Sequence, residues 1–266
     1  MSETQTHYIL HCDNSIDGLL TALFEAFALK KKLTAHTAWE SLPADIISIV
    51  CGEGSNYSLF STWTEVTTDE RKALLTVQTI QKRLGMRIYD AVFHVLCHFD
   101  PSRGTLLFHF LVKAFQTGPR TIDRLADPHV MAMMEYDRKV SNEAHFFIEL
   151  TRFTALPGTL YSRIAPKCTV LPFICDHFVE RYYHENFIIY DETHHIAAIH
   201  KADEEWFLTD DPSMDVDLSQ FQDADPFTSL WGVFFDSVAI RQRRNIRCQN
   251  TMLPKWYRKH MEEFSR

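Results

Sequence analysis

Apolar residues recur at helical steps over several stretches of this chain. Leu19, Leu20, Leu23, Phe24 and Phe27 form a stripe that predicts an amphipathic helix from Ile16 to about Lys32. The short run Thr6–Cys12 before it reads as a strand, and Asp13-Asn14-Ser15 as a capping turn. Val66-Thr67-Thr68-Asp69 predicts the start of a helix through Leu84, closed by Gly85. Further helices are expected over Tyr89–Cys97, Leu106–Gln116 and His129–Leu150, the last opened by Leu125-Ala126-Asp127-Pro128. Thr34–Thr64 lacks a period and predicts no regular element.

The period changes in the middle of the chain. Arg152–Pro166 reads as strand, turn (Leu156-Pro157-Gly158) and strand. Leu171, Ile174, Phe178 and Tyr182 share one helical face. Behind them come an apolar run at Phe187–Tyr190, a polar turn at Asp191–His195 and a second run at Ile196–Ile199, a hairpin behind a helix. Trp206–Asp225 is expected to be an Asp-rich loop. Asp225-Pro226 then opens a last helix, in which Phe227, Leu230, Trp231, Phe234, Phe235 and Val238 form the cleanest stripe of all.

These elements predict an α+β fold, mostly helical, with a small antiparallel sheet around residues 150–200. We expect a single domain over 1–266, with a possible subdivision near 120–150. The length suits a sizeable core, and 45% apolar residues with 20 phenylalanines exclude a disordered chain.

Charge is segregated. Ala202–Ile240 holds ten acidic residues and no Lys or Arg, whereas Arg241–Arg266 holds eight Lys or Arg against Glu262 and Glu263. With a formal net charge of −8, such a chain can bind nucleic acid locally while repelling it elsewhere. No apolar segment is long enough to span a membrane, and no basic-then-apolar leader opens the chain. The six cysteines are scattered without a C-x-x-C pair, so we expect reduced, mostly buried thiols and a cytoplasmic protein.

The basic end is the first candidate for chemistry. Arg241, Arg243, Arg244, Arg247, Lys255 and Arg258 can neutralise phosphates, Asn245 and Gln249 can bond base edges, and Trp256 and Tyr257 can stack on unpaired bases. The plainer reading is a solvated helix end. A second candidate is His177, Arg181 and Asp191. His177 and Arg181 lie four apart on one helix face, and Asp191 ends the strand that packs nearby. The preferred role is a structural clamp between helix and hairpin; orienting a catalytic base or holding a phosphate stays open.

His94, Cys97 and His98 have a spacing that can converge on a metal, but a partly buried His/Cys face explains them more simply. Asp210, Asp211, Asp215 and Asp217 lack the glycine and terminal glutamate of a calcium loop. Gly52-Glu53-Gly54-Ser55 is too short and isolated for a phosphate loop, and no nucleophile elbow or dinucleotide fingerprint is present. No cofactor or metal is expected.

Ordered blocks along the chain resemble a bacterial family described as "probable DNA metabolism proteins". Asp13, Ser15, Gly18, Leu19, Ala22, Phe24 and Glu25 match its opening, and Val66, Thr68, Asp69, Lys72 and Ala73 a second block. Glu143, His145, Phe147, Arg152 and Phe153 match a third. Leu171, Pro172, His177, Phe178, Arg181, Ile188, Ile189 and Asp191 match the central motif, and Arg243 or Arg244, Asn245, Gln249, Pro254 and Tyr257 the close. The chain departs at Phe146, where the family has a basic residue, and at Glu149, where it has glycine. It departs again at His194 or His195, where an arginine introduces the second strand.

Members of that family are often encoded beside a candidate DNA-repair radical SAM enzyme, or fused to a domain similar to uracil-DNA glycosylase. The blocks fill this chain end to end, so no such extra domain is expected. The resemblance implies DNA metabolism or repair. Three readings follow: a nucleic-acid-binding accessory to a DNA-modifying or repair enzyme, with DNA and a radical SAM enzyme as partners; an enzyme acting on DNA through His177 and Asp191; and a protein-docking module without DNA contact.

Overall fold

A computed structural model describes residues 7–35, 38–39, 42, 46–52, 61–216, 234, 237, 245–261 and 264. The chain divides into two compact units, 1–140 and 141–266.

In the first unit the opening strand β1 (His7–Cys12) leads into α1 (Ile16–Leu33), capped by Ser15, whose hydroxyl accepts from Gly18 N at 2.9 Å. Two further strands, β2 (Ile47–Cys51) and β3 (Ser61–Val66), lie in the stretch where no regular element was expected. Both pair parallel with β1 in the order β2-β1-β3, so the carboxyl ends Cys12, Cys51 and Val66 lie side by side. Parallel partners are distant in sequence, and β3 reads STWTEV with only two apolar positions. Local periodicity therefore carries little trace of this sheet.

The chain leaves β1 for β2 on one side and crosses to β3 on the other, which makes β1/β3 a topological switch point. Helices α2 (Glu70–Leu84), α3 (Met86–Leu96), α4 (Arg103–Thr117) and α5 (Pro128–Leu150) follow. Asp69 caps α2, Gly85 at φ 80° closes it, and Asp127 caps α5 through His129 N. Leu19, Leu23, Ile47, Ile49, Phe108 and Leu111 are fully buried at the centre of this unit.

The second unit is built on β4 (Thr154–Leu156), β5 (Thr159–Ile164), α6 (Leu171–Arg181), β6 (Phe187–Asp191), β7 (Ile196–His200) and β8 (Phe207–Thr209). The expected helix and hairpin are α6 and β6–β7. The sheet itself is a correction. It is five-stranded and mixed, in the order β4-β5-β6-β7-β8, with β5 and β6 parallel. The reason is α6, which serves as the crossover that returns the chain parallel to β5. β8 also falls within the stretch expected to be loop. One sheet face packs Tyr161, Tyr190 and Ala197 with Leu156, Ile188 and Met214. Phe153 meets Phe178 of α6 and Phe187 of β6 edge-on, with centroids 5.3 and 5.9 Å away. The chain continues through α7 (Ile246–Met252) and a 3-10 turn, Lys255–Arg258. The helix expected after Asp225-Pro226 lies outside the described residues except at positions 234 and 237.

Five cysteines are buried and Cys248 is exposed. Among the described residues no helix is long and apolar enough to cross a membrane.

Candidate nucleic-acid interface

Glu143, on the last turns of α5 and only 4% exposed, is the anchor of the second unit's candidate site. Its two carboxylate oxygens accept from Lys167 N at 2.9 Å and Cys168 N at 2.8 Å, which pins the turn after β5. Phe146 and Phe147, beside it on α5, hold Tyr257 by one stacked and one edge-on contact, both with centroids 5.6 Å apart. Burial and the adjacent Glu143 charge raise the Tyr257 phenol well above its ordinary range, so it stays protonated. Trp256 Nε1 donates to Ala165 O at 2.7 Å. The C-terminal segment is thus tied to α5 by one aromatic cluster and to the end of β5 by one indole hydrogen bond.

Together these parts line a narrow crevice of only about 10 Å³, room for about one water, with Phe147, Ile164 and Trp256 as apolar lining and Arg152, Arg163, Lys259 and His260 as basic lining. Arg152 closes α5 by donating to Glu149 O at 3.0 Å. Arg163 pairs with Asp215 and lies 3.9 Å from Glu192, while its guanidinium is 5.5 Å from the Tyr190 ring. Glu192 pairs with Lys259 and lies 3.1 Å from His260 Nε2. Burial works to raise the Glu192 carboxyl, but Lys259 and His260 outweigh it and hold it below the ordinary value. Burial lowers His260, with Glu192 pulling the other way, so the imidazole is neutral at pH 7. Three cationic side chains and the neutral His260 therefore stand beside two acids, and a phosphate-bearing ligand would meet them at the surface around the crevice rather than inside it.

The structure redistributes the expected contacts. Arg241, Arg243 and Arg244 lie outside the described residues. Asn245 is the N-cap of α7, its Oδ1 accepting from Cys248 N at 3.0 Å. Arg258 spends its guanidinium on Leu253 O, Gln249 O and Asn250 Oδ1, closing the far end of α7. Gln249 is half-buried, and Tyr257 is a packing residue. Arg247 and Lys255 are exposed. Arg152 and Arg163 stand about a hundred residues before the basic end, whereas Lys259 and His260 follow Arg258 directly within it. Glu143 and Arg152 did carry a signal, since both belong to the resembled blocks.

His177, Arg181 and Asp191 do not converge. His177 and Arg181 are exposed on α6, while Asp191 is fully buried. Its Oδ2 pairs with His194 Nδ1 at 2.6 Å, and its Oδ1 accepts from Thr193 N at 2.9 Å and His194 N at 3.2 Å. Asp191 thus closes the β6–β7 turn rather than clamping the hairpin to α6. Of the possible metal trio, His94 pairs with Asp137 at 2.5 Å and His98 stacks on Tyr136 with centroids 3.9 Å apart.

The first unit brings another resembled set together at its switch point. Asp13 accepts from Ser15 N at 2.9 Å and from the hydroxyls of Ser15 and Thr68. Burial works to raise this carboxyl, but those donors hold it below its ordinary value. Arg103, 4% exposed, donates to Asn14 Oδ1, Cys51 Sγ and the carbonyls of Leu96 and Asp100. The turns after β1 and β3 are thereby locked to each other and to α4. Each of these groups has an internal partner, so the cluster is read as a structural joint.

A family model described as a domain of unknown function, DUF4130, matches residues 101–263, more than half of the chain. No curated protein matches the chain.

Proposed function

The chain belongs to the DUF4130 family, whose description names no activity, and we propose from its own residues that it binds nucleic acid as an accessory in DNA metabolism. The observation that carries this reading is the surface around the crevice where Arg152, Arg163, Lys259 and His260 meet Trp256 and Tyr257. Guanidinium and ammonium groups neutralise phosphates, and an aromatic wall accepts bases or sugars. The resemblance to DNA metabolism proteins supports the same reading and suggests a DNA-modifying or repair enzyme as partner. An acid–base role for Asp191 has no support in this arrangement, because its carboxylate is buried with both oxygens engaged.

The test is fluorescence anisotropy with a labelled single-stranded DNA across a salt series. Arg152→Ala/Arg163→Ala is expected to weaken binding about tenfold or more and to reduce the salt slope on a single strand by about 1.4. Unchanged affinity and slope in a folded double variant would remove this surface as the phosphate site.

Asp215, from the acidic segment, occupies Arg163. Asp215→Asn frees that guanidinium and removes a like charge from the path of a phosphate. Affinity should rise about 2- to 5-fold, the scale of one partly exposed ion pair; a fall in affinity would mean that Asp215 positions Arg163 instead.

A further inference from the structure

Trp256 is 51% exposed, although its ring is held at the Nε1 edge and covered over one face by the Lys167 ammonium, which leaves the opposite face for a ligand. The indole Nε1 donates to Ala165 O at 2.7 Å, and the Lys167 ammonium lies 5.6 Å from the ring centroid. Ala165 is two residues before the backbone N–H held by Glu143, and Tyr257, next in sequence, is packed on Phe146. The ring is therefore held before any ligand arrives, and little side-chain freedom remains to be lost on contact. Lys167 and Lys255 beside it are exposed.

We propose that the surface around this crevice takes single-stranded nucleic acid, with one unpaired base stacked on the exposed indole of Trp256; this rests on that surface being the nucleic-acid site. A rigid, half-exposed indole with cations around it offers a flat π surface next to phosphate-neutralising charge. Only an unpaired base can use that surface, because in a duplex both faces of each base are covered by its neighbours and only edges and backbone are presented. Stacking is tolerant of sequence, so the preference is for strandedness rather than for a particular base. The cationic surroundings favour a phosphate-bearing partner over an apolar protein surface.

The experiment compares a labelled single strand with its own duplex on wild type, Trp256→Ala and Trp256→Phe, at one salt concentration. Wild type is expected to bind the single strand at least tenfold more tightly than the duplex. Trp256→Ala should lose about tenfold on the single strand while its duplex affinity stays within twofold, and Trp256→Phe should keep most of the affinity. Intrinsic fluorescence provides a second readout that a misfolded alanine variant cannot confuse. Stacking should quench wild-type emission on titration with unlabelled strand, and the quench should vanish in Trp256→Phe. Equal affinity for strand and duplex, or a quench that persists in Trp256→Phe, would overturn the stacking proposal while leaving binding at that surface intact. No binding of either oligonucleotide by wild type would instead overturn the nucleic-acid reading itself, and the stacking proposal with it.

Discussion

Glu143→Ala is expected to lower stability by about 3 kcal/mol or more, the largest effect of any single change in the second unit. The substitution deletes both acceptors that serve Lys167 N and Cys168 N. Each hydrogen bond to a charged group contributes about 1.5–3 kcal/mol, and two of them are lost together. The loss also propagates, because the same turn supplies Ala165 O to Trp256. The melting temperature measured by calorimetry should fall by roughly 10 °C, and oligonucleotide affinity should fall with it. Glu143→Gln keeps one acceptor and should lose about half as much. Wild-type melting in Glu143→Ala would show that the turn holds without its anchor.

Gly18→Ala is the second large effect, here in the first unit. A β-carbon at position 18 would lie 2.2 Å from Asp13 Oδ1, 2.7 Å from Asp13 Cγ and 3.0 Å from Asp13 O. The carboxylate would have to move, and its bonds to Ser15 and Thr68 would go with it. Alanine favours a helix interior over glycine by about 1 kcal/mol. The clash and lost bonds together cost more, so a net loss of about 1–3 kcal/mol is expected in chemical denaturation. In Asp13→Ala/Gly18→Ala the side-chain clash is absent and only the approach to the backbone oxygen of residue 13 remains, so the pair should be more stable than the two single losses added. Additive losses would mean that the two residues do not oppose each other.

Asp13 also has a pH signature. Its folded carboxyl titrates below the ordinary 3.8, so its contribution is present above that value and lost as pH falls through the lower folded value.

Much of the fold was legible locally. α1, α2, α5 and α6 each bury an apolar stripe and carry a recognisable start, such as Ser15, Asp69 or Asp127. The β6–β7 hairpin was visible because two apolar runs flank a short polar turn. What stayed hidden was pairing at a distance. Nothing local in STWTEV says that Val66 lies beside Cys12, and nothing in TLYSRI says that it runs parallel to β6. The parallel pair follows only once α6 is recognised as a crossover.

The candidate site shows the same division. Clustered charge drew attention to the basic end, and that region does form one wall of the crevice. Charge alone could not separate Arg258, which caps α7 from below, from Lys259 one residue later, which faces Glu192. The opposite wall comes from Arg152 and Arg163, about a hundred residues earlier. Such a site exists only after folding, and Glu143 and Arg152 were marked in the sequence only by resemblance.

Hydrogen–deuterium exchange with and without a bound single strand tests the location most directly. Slowed exchange at 163–168 and 253–261, with little change over β1 and α1, is the expected result. Tight binding with protection confined to residues outside those two segments would contradict the surface around the crevice as the nucleic-acid interface.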